Sequence, residues 1–281
     1  MLWSFRRHHQ LGPWPAVSSV VSSAELETKL AKRVRALAHV DDPVRREGYE
    51  ALLADPVRSR LSPAEERLAE MLFFTLWPDG GGHSSIQGGL AELTRTPDLV
   101  DEMRAVIDLA FDEAERPVGP TPGALADLPL RVHARYQREE VLAALGYASL
   151  NRKPNSFREG VLYVPELNVD AFFITLRKTE ERFSPTTMYR DYPISQELFH
   201  WESQSTTTVN SKTGQRCLTG SSTVLLFVRE EQKDDFGTSP YLYLGPATYV
   251  SHQGERPIAI TWRIDRPMPA ELFASATVAA G

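Results

Sequence analysis

DAFFITL at residues 170–176 and STVLLFV at 222–228 are rich in β-branched and aromatic side chains, and turn-forming clusters bound both. They read as strands. VLYV at 161–164, YLYLG at 241–245, ATYV at 247–250 and IAITWRI at 258–264 share that character. Several short strands over roughly a hundred residues predict a small, partly closed β-barrel or a strongly curved sheet. The chain ahead of them is different. Leu26, Leu30, Val34 and Leu37 recur at helical spacing, and Ser62-Pro63-Ala64-Glu65 is a capping box with proline at the first helical position. Thr96-Pro97 opens a further helix, and a short one is expected from Gln137 to Leu145, closed by Gly146. The fold class is therefore α+β, an N-terminal helical bundle followed by the curved or partly closed barrel. Expected boundaries are a disordered leader at 1–23, a helical domain at 24–116, a Pro/Gly-rich connector at 117–130 and the β domain at 131–275.

The 281 residues carry a net charge of −6, with the acidic excess in the first half and the chain from Arg131 onward about neutral. A pI near 5.7 argues against indiscriminate nucleic-acid binding, so any contact with a polyanion must be local. Cys217 is the single cysteine, which rules out an internal disulfide, fits a reducing cytoplasm and reads as a small buried apolar residue. No window reaches the length of a membrane span.

The familiar catalytic motifs are missing from the sequence. There is no GxxxxGK[ST] phosphate loop, no paired histidine-lysine phosphodiesterase motif, no HExxH and no GxSxG around Ser195, Ser203 or Ser205. Asp170 and Lys178 resemble part of a metal-dependent nuclease signature, but Leu176 stands where the second acid is needed. The chain is expected to be no enzyme, with no metal and no cofactor.

The stretch FSPTTMYRDYPISQELFHWESQSTTT at 183–208 mixes rings with hydroxyl, amide and charged groups and shows no clean helical or strand period. It reads as a strand and loop system that forms a pocket. Within it, His200 beside Trp201 reads as a pocket or interface residue more readily than as a general base.

With these residues laid out, the second half resembles a family of uncharacterised C-terminal domains attached to bacterial DEAD/DEAH-type helicases, often behind a phospholipase-D-like nuclease. The runs that carry the resemblance are HARYQREEVLAALG (133–146), EGV (159–161), 183–205 of the long stretch, LLFVRE (225–230), YLYLGPATYVSH (241–252) and ITWRIDRPMP (260–269). HVDDPVRREGY (39–49) and AEMLFFTLW (69–77) resemble the segment that precedes this domain. Members in modification-dependent restriction enzymes imply an SRA/PUA-like barrel that reads methylcytosine, in restriction or phage defence. Motor and nuclease motifs are absent here, which implies a reader without its effector, or one that lends recognition to a separate helicase or nuclease subunit.

For such a reader the resemblance implies base flipping, with Tyr189, Tyr192 and Trp201 as stacking walls and Phe199 in the core. Asp191 would accept from the cytosine amine, or else pair with Arg190 on the surface. His200, Ser203 and Gln204 complete the expected pocket, although Ser203 and Gln204 could equally satisfy backbone groups near a strand end. Phosphate contacts would fall to Lys178, Arg182, Arg190, Lys212 and Arg216 with the hydroxyls of Ser184, Thr186 and Thr187. The TGQR run at 213–216 reads as a turn able to act as a finger. Other readings stay open: a reader of backbone phosphorothioate, a degenerate nuclease domain using Asp170, Lys178 and Asp191, or a helicase-docking module.

Overall fold

The computed structural model describes residues 23–58, 60–177, 191–204, 207–234 and 237–280. The expected leader, Ser23 apart, lies outside them. Helix α1 (Ser23–Val34) runs into a one-turn helix at Arg35–Leu37, and the stripe of Leu26, Leu30, Val34 and Leu37 is buried. In α2 (Pro43–Ala54) the Asp42 carboxylate accepts from the Arg45 amide at 3.0 Å, which caps the helix start. The Ser62 and Glu65 side chains form the reciprocal capping box that opens α3 (Pro63–Leu76). Short α4 (Ile86–Ala91) and the longer α5 (Pro97–Asp112) complete the helical layer.

Residues 117–130 are tied down. Strand β1 (Gly119–Pro120) pairs with β2 (Arg131–Val132), and the fully buried Thr121 hydroxyl donates to the Leu130 carbonyl at 3.0 Å. After β3 (Arg135–Tyr136) comes α6 (Arg138–Ala144), whose Glu140 carboxylate accepts from the Gln137 amide at 2.8 Å. The sheet is then built from β4 (Val161–Val164), β5 (Val169–Thr175), β6 (Tyr192–Pro193), β7 (Leu198–Glu202) and β8 (Thr223–Arg229). Strands β9 (Lys233–Asp234) and β10 (Gly237–Thr238) make a small hairpin before β11 (Tyr241–Gln253) and β12 (Ala259–Ile264). Helix α7 (Lys212–Thr219) precedes β8, and α8 (Ala270–Ala280) follows β12.

The main sheet runs in the order β4-β5-β8-β11-β12-β7-β6, with β5 and β8 parallel and the other neighbours antiparallel. It stays open. No ladder joins β4 to β6 among the described residues, so the expected barrel is an unclosed sheet. YLYLG and ATYV, read as two strands, are one long strand with register shifts near Gly245 and Val250.

Alternation along the strands sorts the core into two layers. Phe172, Ile174, Leu226, Val228, Leu242 and Leu244 point to one face, where Phe199, Trp201, Ile260 and Trp262 join them and α7 and α8 add Cys217 and Leu272. Ala171, Phe173, Leu225, Phe227, Tyr241 and Tyr243 point to the other, into a cluster that continues through α1, α2, α3, α5 and α6. Each large side chain fully buried in this way contributes about 1.5–3 kcal/mol. Helices and sheet thus share a hydrophobic core.

Candidate functional site

Beyond the helical layer no described element packs on the outer face of the sheet, which is polar. Tyr192 on β6 stands opposite His200 on β7, His200 opposite Thr261 on β12, and Thr261 opposite Ser251 on β11. One row crosses four strands. The Tyr192 and His200 rings stack with centroids 4.6 Å apart and planes 25° apart, and Tyr192 remains 37% exposed. The Asp191 carboxylate accepts from the Glu202 amide at 3.0 Å, which fastens the start of β6 to the end of β7.

Residues 198–202 form a regular strand with alternating burial, Phe199 and Trp201 inward, Leu198, His200 and Glu202 outward. This corrects their reading as an aperiodic pocket segment. Adjacent strand residues face opposite sides of a sheet, so His200 and Trp201 cannot line one hollow. Trp201 is 6% exposed and packs against Phe172 at 4.4 Å between centroids; it is a core residue.

Ser203 is also sealed off. Its hydroxyl accepts from the Ile258 amide at 2.9 Å and lies 3.3 Å from the Gln204 carbonyl, the backbone-satisfying role, while Gln204 is exposed. TGQR is not a turn but lies in α7, with Ser211 capping the helix start and a left-handed Gly220 ending it. Gly214 has to be glycine, because a Cβ there would sit 2.1 Å from the Thr208 carbonyl oxygen. Lys212 is exposed in the first turn.

Arg216 is committed elsewhere. Its Nε and Nη2 each donate to the Asp170 carboxylate at 2.8 Å, and its guanidinium lies 3.8 Å over the Tyr163 ring. The bond to Asp170 raises the Arg216 pKa. Ser222 donates to the same carboxylate at 2.6 Å. Asp170, the acid of the nuclease reading, therefore has both oxygens occupied, and Arg216 is a packed ion-pair partner rather than a phosphate finger. Tyr189, Lys178, Arg182, Ser184, Thr186, Thr187 and Arg190 lie outside the described residues. Among the described residues no cluster of three His, Cys, Asp or Glu side chains is placed to hold a metal. Burial pushes the Cys217 thiol up to about 12.

A buried polar network escaped the sequence reading. Arg45 is fully buried on α2 and reaches Asp42 at 2.5 Å, Glu140 of α6 at 3.0 Å and Asp41 at 3.2 Å. Its guanidinium lies 4.0 Å over the Tyr136 ring. Glu140 also takes Tyr49 at 2.8 Å and His39 at 2.5 Å. Burial alone would raise the Glu140 pKa, but His39 and Arg45 outweigh it and hold the carboxyl at about 2. Burial would likewise lower Arg45, and Glu140 and Asp42 raise it instead. HVDDPVRREGY carried the signal, since five of these groups fall in eleven residues; the partner Glu140 lies 95 positions beyond Arg45.

His39 reaches the wall of a cleft of about 840 Å³ bounded by α1 and its following turn, the ends of β8 and β11, the β9–β10 hairpin and α8. Arg35, Arg135 and Lys233 reach into it from separate elements. No contiguous motif announces it.

Residues 130–276, just over half the chain, match the family described as Domain of unknown function (DUF3427), and the chain belongs to that family. Among solved structures, two crystal forms of Arabidopsis thaliana SUVH6 in complex with SAM are similar at 12% and 13% identity, each with a TM-score of 0.32. Each likeness covers 87% of this chain and 40% of that one, so the chain spans well under half the length of those proteins. No curated protein matches. Among the described residues no helix is long and apolar enough to cross a membrane.

Proposed function

We propose that this chain binds duplex DNA and reads a modified base, with methylcytosine as the first ligand to test, as a non-enzymatic recognition subunit in restriction or phage defence. The observation that carries the reading is the uncovered row of Tyr192, His200, Thr261 and Ser251, with its stacked and exposed ring pair at the sheet edge. An extruded base costs a few kcal/mol to unstack, and a ring platform returns about 1–3 kcal/mol by stacking. Tyr192 supplies that platform in place of the buried Trp201. Asp191, next in sequence, is the acceptor for the cytosine amine. A methyl group adds about 0.8 kcal/mol of apolar transfer, so selectivity must come from shape as well as attraction.

Fluorescence polarisation on matched duplexes, unmodified or carrying methylcytosine, tests this. Tighter binding to the modified duplex, lost in Tyr192→Ala with the fold intact, is the expected result. Equal affinity of the native chain for both duplexes would sink the reader. Preference for a phosphorothioate duplex would move the reading to that mark, and co-purification with a helicase without DNA affinity would favour a docking module.

A further inference from the structure

Besides Arg116, which is paired with Glu271, six cationic side chains line the 840 Å³ cleft: Lys32, Arg33, Arg35, Arg135, Arg229 and Lys233. The acids that share its walls are largely engaged. Glu230 and Glu231 lie 3.7 and 3.2 Å from the Arg177 guanidinium, and Glu271 lies 3.1 Å from Arg116. Asp234 also has a partner. Glu139 is the acid of the lining that makes no ion pair among the described residues. The cleft is therefore positive within an acidic chain.

Arg229 provides the second, independent observation. It is 8% exposed, and its Nε and Nη1 donate to the Thr175 hydroxyl at 3.0 Å and the Ser239 carbonyl at 3.2 Å, with the cation 4.3 Å over the Tyr241 ring. None of these partners is a carboxylate. Burial, with Arg138 adding to it and Tyr241 and Glu139 opposing, lowers the Arg229 pKa, and burial chiefly lowers that of Arg33 as well. A buried guanidinium with no carboxylate in contact is costly to keep, and a fold retains one most readily where a ligand brings further negative charge. Planar guanidinium groups match phosphate oxygens in two-point contacts. The volume is that of a ligand cleft.

We infer that this cleft is a phosphate site, in which Arg35, Arg135 and Lys233 reach the ligand and Arg229 sets the charge beneath them. Its ligand is either the phosphodiester backbone of DNA or the phosphates of a free nucleotide. Only the first source rests on the DNA reading above.

The test uses the full chain and the double variant Arg35→Ala/Arg135→Ala, both exposed side chains. Affinity for unmodified and methylcytosine duplexes is measured across a salt series, alongside calorimetric titration with inorganic pyrophosphate. For a DNA backbone, the variant should bind both duplexes about tenfold or more weakly, with the salt slope smaller by about two, and an unchanged modified-to-unmodified ratio. Tyr192→Ala should do the reverse, removing the ratio and keeping the slope. For a free nucleotide, the native chain binds pyrophosphate without binding duplex and the variant loses it; the cleft then stands and the reader falls. An unchanged slope together with unchanged pyrophosphate binding in the variant overturns the cleft and leaves the reader untouched. Binding of neither probe by the native chain overturns both.

Discussion

Strands β5, β8 and the start of β11 are buried on both faces, whereas β12, β7 and β6 are buried on one. The two halves share one inner layer and differ in what covers them outside. Where helices pack, the outer positions are Ala171, Phe173, Leu225 and Phe227; where no described element packs, they are Thr261, Arg263, His200 and Tyr192. Near-continuous apolar runs therefore mark the covered half and alternation marks the free one. β11 passes from one regime to the other. The change falls at Gly245, whose φ of 93° and register shift bend the strand, and where a Cβ would meet Val132 at 3.1 Å. The proposed base-reading row lies on the side that the helices leave free.

Breaking the covered half should cost the most. Phe227 is fully buried between Phe173 and Tyr243, at centroid distances of 5.6 and 4.6 Å. Phe227→Ala is expected to lose about 3–5 kcal/mol in urea denaturation, and a loss below about 1 kcal/mol would mean the helical layer does not cover that face. Glu140→Gln removes the charge that holds Arg45, and a loss of about 3 kcal/mol is expected on the same assay.

Acid should weaken the contact between the layers in two steps. Burial, then Arg266 and Arg116, depress His133 from 6.5 to about 4, and its buried Nε2 has no hydrogen-bond partner among the described residues. The unfolded chain takes up that proton first, so stability falls as pH drops from about 6.5 to 4. Glu140, held at about 2 against an ordinary 4.5, adds a loss between those values. Each unmatched proton gives a slope of about 1.4 kcal/mol per pH unit. Chemical denaturation at stepped pH reads both limbs, and Glu140→Gln should flatten the lower one alone.

The smallest effect on stability belongs to the free half. Tyr192→Ala should shift unfolding by about 0.5 kcal/mol or less while removing selectivity for the modified duplex. A large stability loss there would place Tyr192 in the core and end the comparison.

Much of this was legible locally. Helix starts followed from Ser62 with Glu65 and from Thr96-Pro97, because caps and proline act within one turn. The strands followed from DAFFITL and STVLLFV. LFHWE misled because its rings were weighed by type and not by parity; the alternation of Phe199 and Trp201 with His200 was present in the letters. Openness of the sheet was not legible, since it depends on whether β4 meets β6, strands about thirty residues apart in sequence. Nor was the cleft, assembled from side chains between Lys32 and Leu272 that no local period connects.

The Arg45–Glu140 contact has a practical corollary for anyone trimming the chain. A fragment starting at Leu130 would inherit a carboxylate stripped of its guanidinium and an oily outer wall with no roof. It should come out of expression as aggregate, and adding the helices back in trans should rescue it if the lock is what holds the roof on.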